Sequence, residues 1–65
     1  MQEIKIFNHL DNKESITITP LTVKQWLSIH FGAWGWYKVI RLTKNKYQVF
    51  DKFDNKLNYT LTFFN

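Results

Sequence analysis

Along most of this chain, apolar and polar residues alternate with a period of two. "EIKIF" (3–7) and "SITIT" (15–19) do so early, and "WYKVIRL" (36–42), "KYQVFDKF" (46–53) and "LNYTLTFF" (57–64) do so after residue 36. Such alternation, rich in Ile, Val, Thr, Tyr and Phe, predicts half-buried strands. One stretch follows a different period. In "LTVKQWLSIHFG" (21–32), Val23, Trp26, Leu27, His30 and Phe31 fall at i, i+3, i+4, i+7 and i+8, the spacing of one helical face. A helix over about residues 22–31 is predicted, with Thr22 as its N-cap after Pro20 and Gly32 as a left-handed cap. His30, on the apolar face, is expected to be buried. The element order is β-β-α-β-β-β.

The chain also resembles itself. A shift of 43 residues aligns "IKIFNHLDNKESITIT" (4–19) with "YQVFDKFDNKLNYTLT" (47–62), with six identities in sixteen and the apolar pattern kept. Phe7 meets Phe50, and Asp11-Asn12-Lys13 meets Asp54-Asn55-Lys56. One hairpin used twice, over residues 3–19 and 46–64, accounts for this; Asp-Asn turns between alternating strands would also arise by convergence. A turn centred on "DNK" that sets Phe53 opposite Leu57 also sets Val49 opposite Leu61 and Tyr47 opposite Phe63, collecting the large apolar residues on one side. The same register sets Ile6 opposite Ile18. At "TKNK", pairing Leu42 with Tyr47 sets Ile40 against Val49, Lys38 against Asp51 and Trp36 against Phe53, with Trp36 on the helix side.

These elements describe one α+β domain spanning residues 1–65, a five-stranded, mainly antiparallel sheet with one helix on one face. The short helix returns the chain across the sheet, making the second and third strands parallel in sense. Two hairpins of the same hand give the order 2-1-5-4-3; the alternative is 2-1-3-4-5.

A single helix covers one face only, and the other should be polar. The registers above instead give the uncovered side Phe7, Tyr37, Val39, Phe50 and Phe64 beside Lys5, His9, Arg41 and Lys52, with Gln48, Asn58, Thr60 and Thr62 between them. An open face of that kind is an interface or a platform for stacking bases. Trp34, between Gly32 and Gly35 in "GAWG", is a candidate partner anchor, and a lid over the helix end otherwise. "GAWG" formally matches the GxxG of nucleic-acid-binding KH loops, but its middle residues are not basic and no second helix follows.

Composition narrows the chemistry. The chain has 65 residues, no cysteine and 12 aromatic residues, so disulfides and thiolate metal sites are ruled out and aromatic side chains must supply the core. Its net charge of +4 lies wholly after residue 37, where Lys38, Arg41, Lys44, Lys46, Lys52 and Lys56 face only Asp51 and Asp54. That asymmetry suits an acidic partner, and equally a solvated surface that keeps a small protein in solution. Two histidines and five carboxylates form no spacing typical of a catalytic or metal site. Asp51 reads as the partner of Lys38, and Asp11 and Asp54 as turn formers. No enzyme, cofactor, metal, small-molecule ligand or membrane partner is expected.

Lys, Asn, Ile and Phe supply 26 of the 65 residues. With its repeated "FDNK"-type turn and lack of cysteine, the chain resembles the small proteins encoded by phages and prophages of AT-rich bacteria. The resemblance covers the whole chain in composition and transfers no site residues. It implies a non-enzymatic protein acting by binding in the host cytoplasm. The leading expectation is a module that binds a protein, or a second copy of itself, through the uncovered face. The alternative is nucleic-acid binding there, with Tyr37 and Phe50 stacking bases and Arg41, Lys46 and Lys52 neutralising phosphates.

Overall fold

The structure, a computed structural model, describes residues 1–32 and 35–64. Five strands, β1 (Gln2–Asn8), β2 (Lys13–Thr19), β3 (Tyr37–Arg41), β4 (Lys46–Asp51) and β5 (Leu57–Phe64), form one antiparallel sheet in the order β2-β1-β5-β4-β3. This is the first of the two expected orders. It pairs the strands furthest apart in the chain, β1 and β5, at the centre, with Glu3 opposite Phe64. It also leaves β2 and β3, parallel in sense, at opposite edges.

Between the edge strands runs α1 (Val23–Leu27), continued by a π-helical turn (Ser28–Gly32). Thr22 caps α1 as expected. Its hydroxyl accepts from the Gln25 N–H (3.2 Å), while the Gln25 side-chain oxygen accepts from the Thr22 N–H (3.1 Å), a reciprocal capping box. The π turn changes which residues face inward. Its i→i+5 bonding adds a residue to the turn, so Phe31 rather than His30 follows Trp26 toward the sheet. His30 is exposed, with its ring on Trp26 at 4.3 Å, which corrects the expected burial. Gly32 has no left-handed φ; that conformation belongs to Gly35 (φ +67°).

The core lies between this segment and one face of the sheet. Ile4, Trp26, Val49, Leu61 and Phe63 are buried, and Ile6, Phe31, Tyr37, Tyr47 and Tyr59 pack around them. Aromatic edges hold it together: Trp26 meets Phe63 at 5.8 Å, Phe31 meets Tyr37 at 5.3 Å and Tyr47 meets Phe63 at 5.6 Å, all near perpendicular. The cover is narrow. Crossing a five-stranded sheet takes about 19 Å at the usual strand spacing, and ten helical residues span only about 15 Å. The helical segment therefore lies as a band, leaving a groove of about 590 Å³ lined by Ile6, Thr17, Leu21, Trp26 and Tyr59 among others. Among the described residues, no helix is long and apolar enough to cross a membrane.

The repeated hairpin is present down to its turn. Asn12 (φ +57°) and Asn55 (φ +60°) both take the left-handed conformation. Asp11 Oδ1 accepts from the Lys13 N–H (3.1 Å), as Asp54 Oδ1 does from Lys56 (2.9 Å). Asn8 Oδ1 accepts from Leu10 (2.9 Å), as Asp51 Oδ1 does from Phe53 (2.8 Å). The turn has four residues rather than an odd number, so Asn8 pairs with Lys13, and Asp51 N–H donates to the Lys56 carbonyl (2.8 Å). Phe53 is thus in the turn, 81% exposed, and not opposite Leu57.

Beyond the turn the hairpins diverge. Phe7 pairs with Glu14 and Phe50 with Leu57, equivalent positions, but β5 then carries an extra residue, Asn58, so that Val49 pairs with Tyr59. This bulge turns Tyr59, Leu61 and Phe63 to the core. β2 has no bulge, so Ile6 pairs with Ser15, not with Ile18, and Ile4 pairs with Thr17.

Candidate interaction face

On the side away from the helix, antiparallel pairing sets side chains in rows, because directly opposed residues share a face. One row runs Glu14, Phe7, Thr60, Gln48 and Ile40 across all five strands. The next runs Ile16, Lys5, Thr62 and Lys46, followed by Ile18, Glu3 and Phe64. Phe50 stands beside Lys38 at the other end.

Phe7, Phe50 and Phe64 are thus together on the uncovered face, as the alternation indicated. Lys52 stands past the end of β4, its N–H donating to the Trp36 carbonyl (2.9 Å). Tyr37, Val39 and Arg41 do not belong there, and this corrects the expectation. The β3–β4 turn has three residues, Thr43–Asn45, closed by the Leu42 N–H on the Lys46 carbonyl (2.9 Å). Arg41 therefore pairs with Tyr47, Val39 with Val49 and Tyr37 with Asp51, one residue away from the expected register. A slip of one transfers every side chain to the other face. Tyr37 packs against Phe31, and Arg41 Nε donates to the Thr43 carbonyl (3.2 Å). Trp36, expected on the helix side, lies before β3 and is 55% exposed. Trp34 lies outside the described residues.

In place of those three, the face gains Ile16, Ile18, Ile40 and Leu42, all exposed; Ile16 and Ile18 are 61% and 63% so. The three-residue turn would have indicated Ile40 and Leu42 from the sequence. Nothing in "ESIT" against "LNYT" marks that β5 bulges and β2 does not, which is what leaves Ile16 and Ile18 on this face.

The polar part of the face is held by specific contacts. His9 Nε2 and Thr60 Oγ1 are hydrogen-bonded at 2.7 Å, and the His9 ring meets the Phe7 ring edge-on at 4.7 Å. Lys5 Nζ reaches diagonally to Glu14 Oε1 at 3.3 Å. With Lys46 and Thr62 these residues line a shallow hollow of about 320 Å³. Its groups can donate to an anion, but Glu14 offsets Lys5. Among the described residues, no three His, Asp or Glu side chains gather as metal ligands would. The chain matches no family model, no curated protein and no solved structure.

Proposed function

We propose that the protein acts by binding rather than catalysis, and that its uncovered sheet face takes a protein patch with an apolar centre and an acidic rim. The observation that carries this reading is the apolar set Phe7, Phe50, Phe64, Ile16, Ile18, Ile40 and Leu42 on a face that no element crosses among the described residues. Exposed apolar side chains gathered on one open face, here with Thr60, Thr62, Gln48 and Lys5 between them, mark interaction sites. The rim gives the partner's polarity. Lys38 and Lys46 stand on the β3–β4 half, with Lys44 and Lys52 in the adjoining turns, whereas Glu3 and Glu14 stand on the β1–β2 half. An acidic rim over β3 and β4 is the complementary arrangement.

Nucleic-acid binding is the second reading, favoured by Lys5, Lys46 and His9 around the hollow beside Phe7. It is weakened because Arg41 and Tyr37, the residues best suited to phosphate and base, lie on the opposite side.

A photo-crosslinking amino acid placed at Gln48, mid-face, and at Lys24, on α1, in cells producing the protein separates the readings. Protein adducts from position 48 that vanish with Phe50→Asp and fall with Lys38→Glu are expected. Nuclease-sensitive adducts would move the choice to nucleic acid, and adducts from position 24 alone would overturn both.

A further inference from the structure

The two edges of the sheet are not alike. β3, with five residues, carries Lys38 and Arg41, cations of the kind that discourage strand addition. β2, with seven, has neither charge nor proline nor bulge from Ser15 to Thr19. Its free backbone groups can be identified. The His9 N–H donates to the Asn58 carbonyl of β5 (2.8 Å), and antiparallel ladders alternate, so odd-numbered residues of β1 bond toward β5 and even-numbered ones toward β2. Through the pairs Asn8–Lys13, Ile6–Ser15 and Ile4–Thr17, the odd-numbered residues of β2 bond inward. Glu14, Ile16 and Ile18 direct their N–H and C=O groups outward, into solvent.

We propose that this edge pairs with the same edge of a second copy, antiparallel about a two-fold axis at Ile16, joining the two sheets into one of ten strands. The self-complementarity of β2 is the argument. With Ile16 opposite Ile16 of the other copy, Glu14 falls opposite Ile18 and Ser15 opposite Thr17, and every outward N–H finds an outward C=O. No like charges oppose, the central pair is β-branched, and each Ser–Thr pair sets two hydroxyls side by side. Shifting the pairing by two residues leaves outward groups unmatched, so the register is specified. The arrangement closes on itself as an isologous dimer and leaves the guarded β3 edges outermost. It uses the backbone edge of β2, whose Ile16 and Ile18 side chains also belong to the proposed face, and extends that face across the seam.

Sedimentation equilibrium of the full chain tests it, with a dimer expected for the unaltered protein. Ile16→Pro removes only an outward N–H, so the monomer's own ladder and melting temperature should persist while self-association weakens by about tenfold to a hundredfold. Ile16→Lys and Ile16→Glu should each be monomeric, since like charges would meet at the axis, and an equimolar mixture should restore a dimer. A monomeric unaltered protein, a dimer of unchanged affinity in Ile16→Pro, or a mixture that stays monomeric would overturn the proposal. So would a dimer abolished by Phe50→Asp alone, which places the contact on the sheet face.

Discussion

The two hairpins share a four-residue turn and a pattern of side chains, yet they turn their second strands in opposite directions. In the β4–β5 hairpin, Tyr59, Leu61 and Phe63 point to the core; in the β1–β2 hairpin the equivalent Ile16 and Ile18 point away from it. The turn does not cause the difference, because its length, its side-chain hydrogen bonds and its left-handed asparagine are the same in both. Position in the sheet does. β5 has a neighbour on each side and lies under Trp26, so burying its three large side chains outweighs the ladder irregularity at Asn58. β2 is an edge, where the narrow helical band gives its side chains little to pack against, and the regular ladder wins. A repeated hairpin pattern therefore becomes one core strand and one exposed strand according to its place in the sheet.

The sharpest test of that contrast uses equivalent positions. Leu61→Ala should cost about 2–5 kcal/mol, as expected for a fully buried leucine, whereas Ile18→Ala should stay within about 0.5 kcal/mol. Urea denaturation of the two variants measures both, and similar losses would mean that Ile18 is buried in solution. The turns should behave alike. Asn12→Ala and Asn55→Ala should each cost about 1–2 kcal/mol for a left-handed φ, with the glycine variants near neutral. A large cost at one turn only would break the equivalence. Asp11→Ala and Asp54→Ala each remove one turn hydrogen bond and should lower stability by matching amounts, about 0.5–1.5 kcal/mol. The smallest effect belongs to a contact of the first hairpin that the second lacks. Lys5 bonds Glu14, while the positions equivalent to them hold Gln48 and Leu57, so Lys5→Ala should cost at most about 1 kcal/mol, and less as salt is raised.

The strands, their order, the Thr22 cap and the repeat were all legible in the sequence, because each rests on local periodicity or turn chemistry. Facing was legible only where the register error was even. For β4 and β5 the assumed pairing was off by two, which leaves Val49, Tyr47 and Leu61 on the correct side. For β2 it was off by three and for β3 by one, and an odd error exchanges the faces. Those two slips account for the candidate site. Phe7, Phe50 and Phe64 lie on the face that alternation indicates, Tyr37, Val39 and Arg41 lie on the opposite one, and Ile16, Ile18, Ile40 and Leu42 take their place. The π turn was hidden for a similar reason, since His30 and Phe31 both fit a helical face and only packing on Trp26 selects between them.

The pairing of β1 with β5 also sets the order of events during synthesis. Each hairpin can close by itself within about 1–10 μs, but Ile4 and Ile6 have no core to enter until Leu61 and Phe63 have left the ribosome. At about 5–20 residues per second, the 45 residues from Thr19 to Phe64 take a few seconds to make. For that interval the first hairpin stands with both its edges open and apolar side chains on both its faces. This nascent state, rather than the finished sheet, is the form most exposed to aggregation and to chaperones.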